Sequence, residues 1–209
     1  MDFLTLPEGR FTLGDVTVPA CLLGREGNLV RADIGIEGGR ITEPGGGRVE
    51  MAGAMVLPAF TDMHVHLDKG HIWPRTPNPN GTFKGALDAV REDHARWTPH
   101  DVRARMEFGL KCAFAHGTAR VRTHIDSIGG LHRTSWPVFA ELREAWQGRI
   151  DLQGVSLAGC ESFSPDGEFR EVAETVAAHD GVLGLVTYPV PDLADRLRGF
   201  FALAAELGL

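Results

Sequence analysis

From Met55 onward, apolar strand-like runs alternate with long amphipathic segments. This alternation is typical of β-α units, in which parallel strands share one sheet and the intervening helices cover it. The sequence therefore predicts an α/β fold with about four β-α units, whose strands lie over Met55–His66, Thr118–Ile125, Ile150–Leu157 and Val182–Tyr188.

The segments between these runs carry helix signals. Thr98 and Pro99 are expected at the N-cap and first position of a helix that ends at Gly117. Further helices are predicted from Ser135 to Gly148 with Pro137 in the first turn, over Glu168–His179, and after Pro191.

Residues 1–54 have a different sequence pattern, in which short strand-like runs are separated by turn residues. Asp33–Glu37 alternates apolar and polar residues and is followed by Gly38-Gly39, which predicts a β-hairpin. Two domains are therefore expected, a small β unit over 1–54 and a β/α unit over 55–209.

The charge balance excludes some classes of function. The chain carries 21 Lys and Arg against 28 Asp and Glu, a formal net charge of −7, which disfavours a nucleic-acid-binding surface. There is no run of about 18 apolar residues to cross a bilayer, and the first ten residues lack the pattern of a signal peptide. A cytoplasmic protein without membrane or nucleic-acid partners is expected.

The candidate functional residues lie at the end of the first strand of the β/α unit, where residues 62–68 read D-M-H-V-H-L-D. Alternate residues of a strand share a face, so Asp62, His64 and His66 are predicted to point one way and Met63, Val65 and Leu67 the other. The two imidazoles would lie about 7 Å apart, close enough to bind one metal ion. His64 and His66 are thus candidate metal ligands. A pair of hydrogen-bonded or exposed histidines is the alternative.

The sequence around these histidines resembles a known family. Val56–Asp68 reads V-L-P-A-F-T-D-M-H-V-H-L-D and is similar to the first barrel strand of the amidohydrolase superfamily, V-x-P-G-F-x-D-x-H-x-H, with Ala59 replacing the glycine. Asp33–Ile41 resembles the N-terminal β-sandwich strands of those enzymes. The likeness to cytosine deaminase-like members rests on three further segments, His66–Asp68, Gly81–Phe83 and Val121–Asp126.

The resemblance implies an incomplete TIM-like (β/α) barrel, preceded by a small β-sandwich portion. It also implies one divalent metal, Zn²⁺ or Fe²⁺, with His64 and His66 among its ligands. In such enzymes metal-bound hydroxide attacks a C–N bond of a small cyclic amidine or amide, by deamination or amide hydrolysis. The expected partner is a small cyclic nitrogen compound.

The family's other ligands and proton carriers follow strands five, six and eight, so the resemblance implies catalytic residues beyond residue 209. Two alternatives to an active hydrolase follow. The chain could be a truncated, catalytically incompetent N-terminal fragment. It could also be a half-barrel that a homo-oligomer or a missing second half completes.

Substrate contacts are predicted after the third strand. Cytosine deaminases have a glutamine there, whereas this sequence reads V-S-L-A-G-C-E over 155–161. The sequence therefore does not define which ring the substrate contains. Glu161 or Cys160 is expected to line the pocket, and an exposed loop carboxylate is the alternative for Glu161.

Several other polar residues are expected to be structural. Arg122, His124 and Asp126 share a face of the second strand. An internal ion pair with a satisfied histidine is favoured for them, because buried charges must be paired, and contact with the site is the alternative. A solvated loop position is predicted for Lys69, and positions at helix ends for His100 and His179.

Overall fold

The computed structural model describes residues 4–209, and the chain divides into two units, Met1–Pro58 and Ala59–Leu209. Residues 1–3, which belong to the predicted first domain, lie outside the described residues. Each unit contains its own sheet and its own buried apolar cluster.

The first unit contains four strands, β1 Phe11–Pro19, β2 Leu29–Glu37, β3 Arg40–Thr42 and β4 Gly47–Glu50. They form one sheet in the order β3-β2-β1-β4, with β1 antiparallel to β2 and parallel to β4. Gly38 and Gly39 both have positive φ, 57° and 74°, which a two-residue hairpin turn requires, and they join β2 to β3 as predicted. Residues 4–58 therefore form one sheet layer, where a complete sandwich has two.

The second unit contains three strands, β5 Phe60–Val65, β6 Thr118–Asp126 and β7 Asp151–Leu157, and five helices that follow them. The strands form a parallel sheet in the order β5-β6-β7. The helices are α1 Phe83–Asp93, α2 Pro99–Ala115, α3 His132–Ala145, α4 Glu168–Ala178 and α5 Leu193–Leu207. Within residues 4–209, none of the helices is long and apolar enough to cross a membrane.

The two faces of this parallel sheet differ. On β6, Val121 and Ile125 are buried and belong to the apolar cluster that includes Trp136 and Phe139 of α3. The alternate residue Arg122 is exposed, as Gln153 is on β7. Side chains on the second face are thus free to form a site at the ends of the strands.

The helix that leads back to β6 begins as predicted, because the Thr98 hydroxyl accepts a hydrogen bond from the Asp101 backbone N–H at 3.2 Å and Pro99 occupies the first helical position. The start predicted for the next helix is wrong. Helix α3 begins at His132, so Pro137 lies inside the helix and not in its first turn. Backbone hydrogen bonds from His132 to Ser127 and from Ser135 to Leu131 start the helix before the proline is reached.

The predicted strand Val182–Tyr188 does not form a regular strand. This segment runs parallel to β7 but makes only two isolated bridges, Val155 to Val182 and Gly159 to Val186. Between them the Ser156 hydroxyl accepts from the Gly184 N–H at 2.8 Å and donates to the Gly184 carbonyl at 3.2 Å. The Ser156 side chain thus bonds the Gly184 N–H and carbonyl, which would bond to backbone groups of β7 in a regular ladder.

A buried carboxylate anchors the loop that joins β5 to α1. Asp93 is 0% exposed and accepts hydrogen bonds from the Arg75 Nε at 2.7 Å, the Thr76 hydroxyl at 2.9 Å and the Trp97 indole N–H at 2.9 Å. Arg75 also pairs with Asp101 at the start of α2. We call these five residues the Asp93 network. It holds the loop against the two helices with every carboxylate oxygen of Asp93 in use.

Candidate functional site

The candidate site lies where β5 and β6 end side by side. Their pairing is irregular, because Asp62 lies opposite Val121 and Val65 opposite Thr123, which sets two residues of β5 against one of β6. Such a bulge breaks the alternation of faces. A cavity of about 460 Å³ is lined by Asp62 and His66 and also by Val65 and Leu67, so residues of both predicted faces contribute to it. Met63 lines a separate cavity of about 390 Å³ with Arg122 and Gln153.

Three histidines meet at this point, and we call His64, His66 and His124 the imidazole cluster. The ring centroids of His64 and His66 are 5.2 Å apart, with the planes at 85°. The ring of His124, from β6, is stacked on His64 at 4.1 Å with the planes at 25°. The sequence predicted that His64 and His66 are neighbours, but for His124 it favoured a structural position over contact with the site. Its position near the end of the adjacent parallel strand was the signal that could have placed it here.

A hydrogen bond fixes the tautomer of His66. Its Nδ1 lies 3.1 Å from the backbone carbonyl oxygen of His124. Because a carbonyl oxygen can only accept, Nδ1 must carry the proton, and the lone pair of Nε2 is left free. Burial, followed by the positive charge of Lys69, lowers the pKa of His66. Both effects favour the neutral ring, which is the form that binds metals.

The ring of His124 is also kept neutral. Burial and then the neighbouring imidazoles of His64 and His66 lower its pKa. Its Nδ1 is buried and has no hydrogen-bond partner among residues 4–209. The prediction of a satisfied histidine holds only in part, because Nδ1 lacks a partner whereas a hydrogen bond with the Val65 backbone opposes the lowering of the pKa of His124.

Neutral imidazole nitrogen is a ligand that suits both zinc and iron, so the donor chemistry of His64 and His66 fits a divalent transition metal. In the part of the chain that the structure describes, however, no group of three or more His, Cys, Asp or Glu side chains is arranged to hold a metal ion. Catalytic zinc sites normally have three protein ligands. The histidine pair thus matches a portion of such a ligand set.

The segment after His66 is held to β6 by side chains. The Thr123 hydroxyl, fully buried, accepts from the Leu67 N–H at 3.0 Å. The Asp68 carboxylate accepts from the Asp126 N–H at 2.7 Å. Burial, and then the negative charge of Asp126, raise the pKa of Asp68 to about 7. These contacts replace the regular ladder and fix the backbone next to His66.

Lys69 and Asp126 form a largely buried ion pair beside this segment. The Lys69 Nζ is 2.8 Å from the Asp126 carboxylate, and the side chains are 17% and 15% exposed. The His94 Nε2 lies 3.4 Å from the same carboxylate. The predicted solvated position of Lys69 is therefore wrong. So is the predicted pairing of Asp126 with Arg122, because the Arg122 Nε instead donates to the Gln153 side-chain oxygen at 2.5 Å.

The remaining predicted residues are exposed or make local contacts. Glu161 is exposed in a 3-10 turn after β7, where its carboxylate folds back over Gly159, and Cys160 beside it is buried. His100 is exposed in the first turn of α2, and the His179 Nδ1 donates to the Thr175 carbonyl at the end of α4. The two histidines thus lie at helix ends, as expected.

Known proteins resemble the whole of this chain. No protein-family model matches it. Pterin deaminase from Rhizobium rhizogenes is 44% identical over 222 aligned residues, which cover 99% of this chain and 51% of the relative. The structure of 5-methylcytosine deaminase from Klebsiella pneumoniae, at 21% identity, has a TM-score of 0.74 and covers 95% of this chain and 49% of that one.

A second solved structure, N-isopropylammelide isopropylaminohydrolase from Burkholderia multivorans, is 27% identical with a TM-score of 0.68. It covers 96% of this chain and 51% of that one. The chain thus spans about half the length of the relatives it matches. This coverage fits the predicted correspondence to their N-terminal half. The chain is related to the deaminases of the amidohydrolase superfamily.

Proposed function

We propose that this chain supplies the first two metal ligands, His64 and His66, of a deaminase that acts on a pterin-like ring. The observation that carries this proposal is the fixed tautomer of His66, whose Nδ1 donates to the His124 carbonyl and whose Nε2 is free for a metal. The 44% identity to a pterin deaminase supports an aminated bicyclic heterocycle over cytosine.

The chemistry that a bound Zn²⁺ or Fe²⁺ supplies is an attacking hydroxide at neutral pH, because coordination lowers the pKa of water to about 7. The chain's own part is to hold and orient the ligands. His66 is kept neutral by burial and by the nearby charge of Lys69. Thr123 and Asp68 hold the backbone on either side of Leu67. The reaction proposed is loss of a ring amino group as ammonia rather than hydrolysis of a ring amide.

We further propose that the second unit is the first part of a TIM-like (β/α) barrel. Its sheet is parallel and its helices cover one face, whereas parallel sheets in proteins usually have both faces covered. In this arrangement the imidazole cluster lies at the carboxyl ends of the strands, where barrel enzymes carry their active sites. Glu161, in the turn that follows β7, is the proposed substrate contact.

A second candidate is a half-site that has no activity by itself. It is favoured by the lack of a three-residue ligand group within residues 4–209. On this proposal the chain binds a metal weakly through two histidines, and a further polypeptide or another copy must bring the remaining ligands.

Metal titration and turnover, measured together, separate these proposals. The purified 209-residue chain is titrated with zinc and with ferrous iron, and ammonia release is then measured with pterin and with cytosine. The His64→Ala/His66→Ala variant is compared with His100→Ala, in which an exposed histidine is removed from a helix end. Metal binding that only the double variant loses supports the site.

The accompanying turnover decides the second question. Release of ammonia from pterin supports the deaminase, and binding without turnover supports the half-site. If the double variant binds metal as tightly as the unchanged chain, the site is refuted. Faster turnover of cytosine than of pterin would contradict the proposed substrate.

A further inference from the structure

Both candidate ligands are oriented by one residue of the neighbouring strand. The ring of His124 is stacked on His64 at 4.1 Å, and its backbone carbonyl accepts the hydrogen bond from the Nδ1 of His66. The two contacts use different parts of the residue, so a side-chain substitution removes the first and leaves the second in place.

The pairing of β6 fixes the position of His124. It lies opposite Val155 in the regular parallel ladder between β6 and β7. Its neighbours Thr123 and Ile125 are fully buried on the other face of the sheet. His124 therefore projects from a rigid strand, whereas His64 lies in the bulge of β5, where the pairing is interrupted.

The ring geometry argues against His124 as a third ligand. The lone pair of an imidazole nitrogen lies in the plane of the ring. Two stacked planes inclined by only 25° meet far beyond the Zn–N bond length of about 2.0–2.1 Å, so His64 and His124 cannot direct their lone pairs at one ion. His64 and His66, at 85°, can do so.

We infer that His124 is a positioning residue, whose ring holds His64 in the orientation for metal binding while its carbonyl sets the tautomer of His66. The inference rests on the proposed metal site and adds a residue to it. The flat face of the side chain is the required property, and its nitrogens are not. The Nδ1 of His124 is buried without a partner, which agrees with a ring that acts by stacking on His64 and not through its nitrogens.

The test compares zinc affinity in three variants of the 209-residue chain. His124→Phe keeps a flat ring, His124→Leu keeps volume without a flat ring, and His124→Ala removes both. We expect the Leu and Ala variants to bind zinc about tenfold more weakly, within the range found when a partner of a metal ligand is lost. The Phe variant should stay within about threefold of the unchanged chain.

Other outcomes would overturn the inference. If Phe weakens zinc binding as much as Ala does, His124 acts through a nitrogen. If no variant changes the affinity, His124 has only a structural role. Thermal melts select the variants that fold, and the Phe and Leu pair still decides the question if the Ala variant does not.

A second readout is independent of affinity. The imidazole ¹⁵N shifts of His66 should show Nδ1 protonated in all three variants, because the backbone carbonyl is retained. A changed tautomer in the Phe variant would contradict the division of roles between ring and carbonyl. The proposed function fails separately, if His64→Ala/His66→Ala leaves zinc binding intact.

Discussion

The second unit contains two polar clusters that differ in how fully their hydrogen-bonding groups are used. In the Asp93 network both oxygens of the buried carboxylate are occupied by donors. Around the imidazole cluster the His124 Nδ1 and the Asp68 Oδ1 are buried without a partner among residues 4–209. An unsatisfied buried polar group costs stability, so its retention points to another role. On the proposal above, the Asp93 network is structural and the imidazole cluster is a binding site, although Arg105, which donates to Asp101, also has unpartnered buried nitrogens.

The largest effect is expected in the Asp93 network. Asp93→Asn removes the charge that faces Arg75 and leaves buried donors without their acceptor, which should lower the free energy of unfolding by about 3 kcal/mol. The matched control is Asp88→Asn, an exposed partner of Lys84, for which about 0.5 kcal/mol or less is expected. Urea unfolding followed by circular dichroism measures both. Equal losses would show that the network is not the structural anchor.

An intermediate effect is expected beside the imidazole cluster. Thr123→Val leaves the Leu67 N–H buried without an acceptor, which should cost about 1–3 kcal/mol of unfolding free energy. It should also weaken zinc binding, because the backbone next to His66 is released. Thr123→Ser keeps the hydroxyl and serves as the control. Should Ser weaken zinc binding as much as Val, the hydroxyl would have no part in holding the segment.

The smallest effect depends on pH. Hydrogen bonds from Arg75, and then from Arg105, lower the pKa of Asp101 to about 2, against the opposing effect of burial. Because the pKa in the unfolded chain is about 3.9, the stabilisation is complete above that pH and disappears as the pH falls through about 2. Asp101→Asn should therefore cost about 1 kcal/mol at pH 7 and progressively less between about pH 4 and 2. A difference that does not change with pH would exclude this origin.

Local signals in the sequence were sufficient to predict much of the fold. Thr98 and Pro99 start α2 because capping depends on residues within one turn. Gly38 and Gly39 form the hairpin turn because they tolerate positive φ. His64 and His66 are neighbours because they lie two residues apart on one chain segment.

Features that depend on pairing with a second strand could not be predicted from these local signals. The bulge in β5 arises from its pairing with β6, and residues of both predicted faces of this segment line one cavity. Lys69 is buried because Asp126 from β6 pairs with it. The segment Val182–Tyr188 has a strand-like composition, but Ser156 on β7 occupies the backbone groups of Gly184.

The most direct test of the proposed metal site is an imidazole ¹⁵N–¹H spectrum of the 209-residue chain before and after one equivalent of zinc. We expect His66 to show a protonated Nδ1 without zinc, and the Nε2 of His66 and one nitrogen of His64 to shift when zinc is added. The nitrogens of His100 and His179 should not move. Protonation of the His66 Nε2 in the free chain, or shifts confined to other histidines, would contradict the assignment of His64 and His66 as ligands.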